Sequence, residues 1–142
     1  MRTYLFSSEL FHSIYANMGL LILRVSVGLM ICLAHGLGKI PPSAGFTAAV
    51  GKMGFPLPGA FAWMAGISEF AGGLCLALGL MTRIWSGFLS ITMFVAVFVV
   101  HFHDPFSSKE RALLYLFAFL CLALTGPGRY SFDHILRGRK PI

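Results

Sequence analysis

Charged residues are scarce in this sequence, and their scarcity excludes most soluble folds. Only 11% of the 142 residues are charged, while 57% are hydrophobic, and a soluble domain typically carries about 25% charged residues. The chain therefore lacks the polar coat that a soluble domain of this size needs. Its length leaves room for four apolar helices of roughly 20 residues each and for no separate soluble domain. These proportions predict an integral membrane protein.

Cysteine is also sparse and belongs to no recognisable motif. Cys32, Cys75 and Cys121 each stand alone in an apolar block, where cysteine usually acts as a small buried hydrophobic residue. The sequence holds no C-x-x-C or H-E-x-x-H motif, and metal sites bring their ligands at such defined spacings. His101 and His103 give only an H-x-H pair. We therefore predict no metal, no haem and no disulfide framework.

Long runs of basic residues are missing as well, although the net charge is +6. The basic residues are scattered between apolar blocks, so we predict no nucleic-acid binding and expect the loop charges to set the orientation in the membrane. With four crossings, one side holds Arg2, Arg83, Arg129, Arg137, Arg139 and Lys140, and the other holds Lys39, Lys52, Lys109 and Arg111. The first of these sides carries both termini and has six basic residues against four. This excess predicts that both termini are cytoplasmic.

Four apolar blocks predict an all-α, integral membrane four-helix bundle with short loops. As a single transmembrane domain over residues 1–142, it has spans at about 14–37, 59–81, 84–102 and 109–125 and a basic tail at 126–142. Pro41 and Pro42 end the first block. Arg24 interrupts that block, so we interpret it as a retained helix, not a signal peptide.

The connection after the first span and the composition of the second add two expectations. Residues 45–58 are expected to form a loop whose later part is amphipathic or re-entrant at the membrane interface. The second block carries small residues that predict a tight packing face between helices. These residues are Ala62, Ala65, Gly66, Ser68, Gly72 and Gly73.

Ionisable residues inside the spans are the candidate functional residues, because charges at that depth are costly. Arg24, His35 and Lys39 are spaced by nearly whole helical turns and so share one helix face. Glu69 lies near the middle of the second span. We predict that it forms an ion pair with Arg24, which either fixes the packing of the helices or serves a function.

Two further candidates come from the later spans. His101 ends the third block and Glu110 opens the fourth, although an acid in a first turn also simply complements the helix dipole. We expect the candidates to converge at one end of the bundle, around a pocket between the first and third spans. At that end, six residues are candidates for ligand binding or proton relay, namely Arg24, His35, Lys39, Glu69, His101 and Glu110. No catalytic residue is assigned.

These residues also carry a family resemblance. The first span has Leu23-Arg24, Gly28, His35-Gly36 and Lys39; the second has Glu69-Phe70-Ala71-Gly72-Gly73 and Leu78-Gly79-Leu80-Met81-Thr82-Arg83; the C-terminal segment has Gly126-Pro127-Gly128-Arg129-Tyr130-Ser131-Phe132-Asp133. In order and spacing they resemble the DoxX family over about residues 20–133. The resemblance implies a four-helix protein of the bacterial inner membrane, with relatives linked to quinone-dependent thiosulfate oxidation and to oxidative or thiol stress.

Three functions remain open on this basis. The first is a quinone-linked redox membrane subunit, one part of a quinone-dependent oxidoreductase whose other part is a partner subunit or a second copy. In it His35, Lys39 and His101 would donate hydrogen bonds to the headgroup, and Glu69 or Glu110 would relay protons. The second is a non-enzymatic membrane scaffold that anchors a partner protein. The third is a small-solute or proton transporter, for which no inverted repeat is evident.

Overall fold

The computed structural model of the chain describes residues 14–136. Its helices are α1 (Ile14–Lys39), α2 (Ala44–Lys52), α3 (Pro58–Leu78), α4 (Thr82–Val100), α5 (Phe106–Thr125) and α6 (Phe132–Leu136). These residues contain no strand, so the predicted all-α class is confirmed. Residues 1–13 and 137–142, with four of the basic residues that bear on orientation, lie outside the described part.

The four long helices α1, α3, α4 and α5 form the predicted bundle. By length and composition α1, α3 and α4 are each apolar enough to cross a membrane. The fourth, α5, is 20 residues long but carries Lys109, Glu110 and Arg111 near its start. It begins at Phe106, three residues before the predicted start at residue 109. The helix extends no further toward the N-terminus because Pro105 adopts an extended conformation.

Glycine residues bring α1 and α3 into direct backbone contact. A Cβ on Gly28 would lie 2.7 Å from the carbonyl oxygen of Gly73, and one on Gly66 would lie 2.7 Å from that of Lys39. The two antiparallel helices therefore touch along most of their length, which confirms the small-residue packing face expected for the second span. α4 packs along α5, and the shared core contains Ile31, Leu76, Leu89, Met93, Leu116, Phe119 and Leu122.

The connection between α1 and α3 is not the irregular loop expected over residues 45–58. It contains α2, whose first turn is capped by the Ser43 hydroxyl, which accepts a hydrogen bond of 3.1 Å from the Phe46 amide. α2 packs against α3. Since α1 ends, α3 begins and α4 ends near it, we call this the α2 end of the bundle.

The opposite end holds the turn between α3 and α4, residues 79–81, and we call it the turn end. Gly79 closes α3 in the left-handed conformation, with φ at +74°. The carboxylate of Asp133 accepts hydrogen bonds from the amides of Met81 and Thr82 at 2.7 and 2.9 Å, at the start of α4. Residues 126–136, the described part of the predicted basic tail, therefore fold back onto the bundle.

Candidate ligand-binding site

Glu69 lies in a π-helical turn, Ser68–Gly72, in the middle of α3. This turn packs against a second π-helical turn, Cys32–Gly36, in α1. Gly36 permits the contact, because a Cβ there would lie 2.6 Å from the Cα of Phe70 and 2.9 Å from the carbonyl carbon of Glu69. Such turns frequently occur at functional sites, where the extra residue redirects a side chain.

The partner of Glu69 is Lys39, on the last turn of α1. The Lys39 Nζ donates a hydrogen bond of 2.6 Å to the Glu69 Oε1. The side chain of Glu69 is 1% exposed, whereas that of Lys39 is 28% exposed, and the Lys39 Nζ also lies 5.2 Å from the centre of the Phe46 ring. The carboxylate is therefore buried, whereas part of the lysine side chain is exposed.

The second carboxylate oxygen of Glu69 has no hydrogen-bond partner among the described residues. The Oε2 atom is buried, and a buried acceptor left unpaired typically costs about 1–3 kcal/mol, more when it is charged. Thr92 lines the same cavity, where its Oγ1 donates to the Phe88 carbonyl oxygen at 3.0 Å and lies 3.4 Å from the Ser68 Oγ. An incoming donor would remove this cost.

A cavity of about 210 Å³ lies beside this ion pair. α3, α4 and α2 form most of its wall, and α1 contributes Lys39. The lining residues are Lys39, Phe46, Val50, Met53, Phe55, Phe61, Met64, Ala65, Ser68, Glu69, Phe88, Ile91, Thr92, Val95, Ala96 and Val100. The wall is thus almost entirely apolar, with the Lys39–Glu69 pair as its charged element, the combination that small-molecule sites usually show.

The predicted ion pair between Arg24 and Glu69 is wrong. Arg24 is buried at the turn end, where its Nη1 and Nη2 donate to the carbonyl oxygens of Pro127 and Tyr130 at 2.7 and 2.6 Å. Because Gly36 is level with Glu69, Arg24 lies twelve residues, or about 18 Å, further along the helix axis. Counting depth from the predicted helix ends misses this offset.

The histidines and Glu110 do not line the cavity either. His35 is exposed and its ring is edge-on to that of Tyr115, with centres 6.2 Å apart. His101 does lie at the α2 end, but its Nδ1 is 2.7 Å from the Asp104 Oδ2 in the following loop. Glu110 is exposed on the first turns of α5. The structure therefore brings together two of the six candidates, Lys39 and Glu69.

Sequence reasoning missed the aromatic and methionine residues that form the cavity wall. Phe46 and Val50 share one face of α2 and Met53 caps its C-terminus, at the spacing i, i+4, i+7 that marks an amphipathic helix. The sequence analysis predicts a loop over residues 45–58 and therefore does not use this helical spacing. The pocket accordingly lies between α2, α3 and α4 and not between the first and third spans. Among residues 14–136, no three His, Cys, Asp or Glu side chains come together as a metal site would require.

Comparison with known proteins places these features in a family. The family model described as DoxX matches residues 19–102, which include both π-helical turns of the site. The inner membrane protein YqjF of Escherichia coli is 33% identical over 133 residues, covering 84% of this chain and 93% of its own length. No solved structure matches the chain significantly.

Two further relatives extend the comparison. The Bacillus subtilis protein named "Putative oxidoreductase CatD" is 33% identical over 126 residues, covering 87% of this chain and 92% of its own length. The inner membrane protein YphA of Escherichia coli is 30% identical over 123 residues, covering 80% of this chain and 87% of its own length. Together with the apolar helices, these matches identify a multi-pass bacterial membrane protein. The chain belongs to the DoxX family.

Proposed function

We propose that this protein is a redox-linked membrane subunit that binds the headgroup of a quinone in the cavity beside Lys39 and Glu69. One observation carries the proposal, namely a buried carboxylate paired with a partly exposed lysine donor at the edge of a ring-lined apolar cavity. An ionisable residue inside a membrane bundle is by default a functional candidate.

The residues of the cavity fit a quinone headgroup chemically. A quinone supplies a planar ring whose two oxygens accept hydrogen bonds and take up electrons and protons. The Lys39 ammonium has N–H groups beyond the one that Glu69 accepts, and one of them can donate to a quinone oxygen. The Glu69 carboxylate can accept a proton from a ring hydroxyl and return it, and Phe46, Phe61 and Phe88 line the cavity where an aromatic headgroup would pack.

The surroundings of the cavity suit a ligand that resides in the membrane. Met64, Phe88, Ile91 and Val100 line it and are 54%, 46%, 63% and 44% exposed. On membrane-spanning helices such apolar residues face hydrocarbon, so the cavity opens between α3 and α4 toward the lipid. A headgroup can enter there while its hydrophobic tail stays in the bilayer.

The relatives support a redox role without naming a substrate. The name of the CatD protein describes an oxidoreductase. The described chain consists of bundle helices and short connections, so a redox cycle would place the second substrate on a partner subunit. In this proposal Lys39 and Glu69 bind and orient the headgroup and exchange protons with it.

Thermal unfolding in detergent with a short-chain benzoquinone analogue tests the proposal. We expect the analogue to raise the Tm of the wild type and to have a much smaller effect on Lys39→Met, whose own Tm provides the baseline. His35→Ala is the control, because His35 lies outside the cavity, and it should respond as the wild type does. A wild type that responds to neither benzoquinones nor naphthoquinones would reject the redox role and favour the scaffold function.

A further inference from the structure

We infer that the site selects the reduced, hydroxyl-bearing form of the ring over the oxidised form. This inference rests on the proposed function and adds which redox form of the ring the site prefers. The distinction between the two forms is one of hydrogen-bond chemistry: a quinone oxygen only accepts, whereas a quinol hydroxyl donates and accepts. Which of the two forms binds better therefore depends on whether the site has an unpaired hydrogen-bond donor or an unpaired acceptor.

The unpaired atom of the site is an acceptor. Oε1 of Glu69 accepts from Lys39, while Oε2 is buried without a partner among the described residues. A carboxylate oxygen cannot donate, so a quinone oxygen placed beside it would be repelled. A hydroxyl would donate to it and form a charge-assisted hydrogen bond, which is about twice as strong as a neutral one.

The charge balance of the site also suits a neutral hydroxyl. Lys39 and Glu69 form a one-to-one pair, so the cavity carries no excess charge that would favour an anion or a cation. Once the Glu69 carboxyl group turns its buried Oε2 toward the cavity, a single hydroxyl can accept from the Lys39 ammonium and donate to that oxygen.

Three probes with the same ring test this inference under anaerobic conditions. They are a short-chain benzoquinone, its quinol and the dimethyl ether of that quinol, which keeps the ring and the oxygens but cannot donate. Their dissociation constants are measured by titrating the detergent-purified protein. We expect the quinol to bind at least about tenfold tighter than the other two, because only it can donate to a charged acceptor.

Variants with a matched chemical change identify the atom responsible. Glu69→Gln places an amide donor where the carboxylate accepted, so we expect the preference for the quinol to disappear and the quinone to bind at least as tightly. Glu110→Gln makes the same change at an exposed position on α5 and should keep the preference. If Glu69→Gln does not fold, the comparison of quinol and ether on the wild type decides.

The outcomes separate this inference from the proposed function. Equal binding of all three probes, or tighter binding of the quinone, overturns the selection of the reduced form and leaves quinone binding in place. An absence of binding by every probe overturns both. A preference for the quinol that persists in Glu69→Gln also contradicts the inference, since Glu69 is then not the acceptor.

Discussion

The charged side chains inside the bundle form two separate groups with different contacts. At the turn end, Arg24 donates to the carbonyl oxygens of Pro127 and Tyr130 and so fixes the C-terminal segment. At the α2 end, Lys39 and Glu69 form an ion pair beside the cavity. Arg24 is thus architectural in this structure, and the lysine–glutamate pair is the candidate for function.

Double-mutant cycles on stability test this division. Lys39→Met combined with Glu69→Gln should show a coupling energy of about 1 kcal/mol or more, because the two side chains are in contact. Arg24→Gln combined with Glu69→Gln should be additive within about 0.5 kcal/mol, because these residues lie about 18 Å apart along the helix axis and share no partner. The free energy of unfolding in mixed micelles provides both values. Strong coupling between Arg24 and Glu69 would contradict the observed separation.

At the residue scale, the sequence identifies the charged residues but not their partners. The cost of a charge in hydrocarbon made Arg24, Lys39 and Glu69 candidates from their positions alone. Their pairing depends on the position of α1 relative to α3 along the helix axis. Backbone contacts at Gly28, Gly36 and Gly66 set this offset. Helix ends estimated from hydropathy are too imprecise to fix it.

At the scale of elements, the contact between two π-helical turns positions the site. The turn in α1 presents Gly36 to the turn in α3, which carries Glu69. Because the contact is between backbones, an added side chain would have to push the two helices apart. The fit of the two turns therefore fixes the carboxylate relative to Lys39, one turn further along α1.

Gly36→Ala tests this contact, with Gly38→Ala as its control. An alanine Cβ at position 36 would lie 2.6 and 2.7 Å from the Cα and amide nitrogen of Phe70, while at position 38 it would meet nothing within 4 Å. We expect Gly36→Ala to lower the free energy of unfolding by about 1–3 kcal/mol, as overpacking typically does, and Gly38→Ala to change it little. Equal effects of the two substitutions would show that the π-helical turns are not in close contact.

The elements themselves were largely predictable, and the exceptions have physical reasons. Long apolar blocks ended by prolines and glycines located the four bundle helices to within a few residues. α2 was missed because its apolar face is only a few residues long and two glycines, Gly45 and Gly51, weaken the helical signal. The fold-back of residues 126–136 depends on contacts with Asn17, Arg24 and Gly79 that are distant in sequence.

At the scale of the whole molecule, the two ends of the bundle differ in structure and face opposite sides of the membrane. One end is closed by the turn and the C-terminal segment, and the other carries α2 and the cavity. From the distribution of loop charges, we propose that the termini are cytoplasmic and that the cavity lies in the outer half. This orientation would let a ligand at the cavity exchange protons with the outer side.

Labelling of single introduced cysteines tests the orientation. Ser107→Cys lies on the first turn of α5 at the α2 end, and Ile135→Cys lies on α6, where the isoleucine is 70% exposed. An impermeant maleimide added to intact cells should label position 107 and not position 135, and permeabilised cells should label both. The unsubstituted protein provides the background from its three native cysteines. Labelling of position 135 alone would reverse the orientation and place the cavity in the cytoplasmic half.

Photolabelling with an aryl-azide benzoquinone in native membranes tests the central claim most directly, because it reports where the ring binds. We predict that mass spectrometry finds the label on the cavity-lining residues Phe46, Met53, Phe88 or Ile91. Excess unlabelled analogue should compete it away, and Lys39→Met should reduce it. Competable labelling near His35 and Tyr115 instead, or labelling that excess analogue does not diminish, would contradict a quinone site beside Lys39 and Glu69.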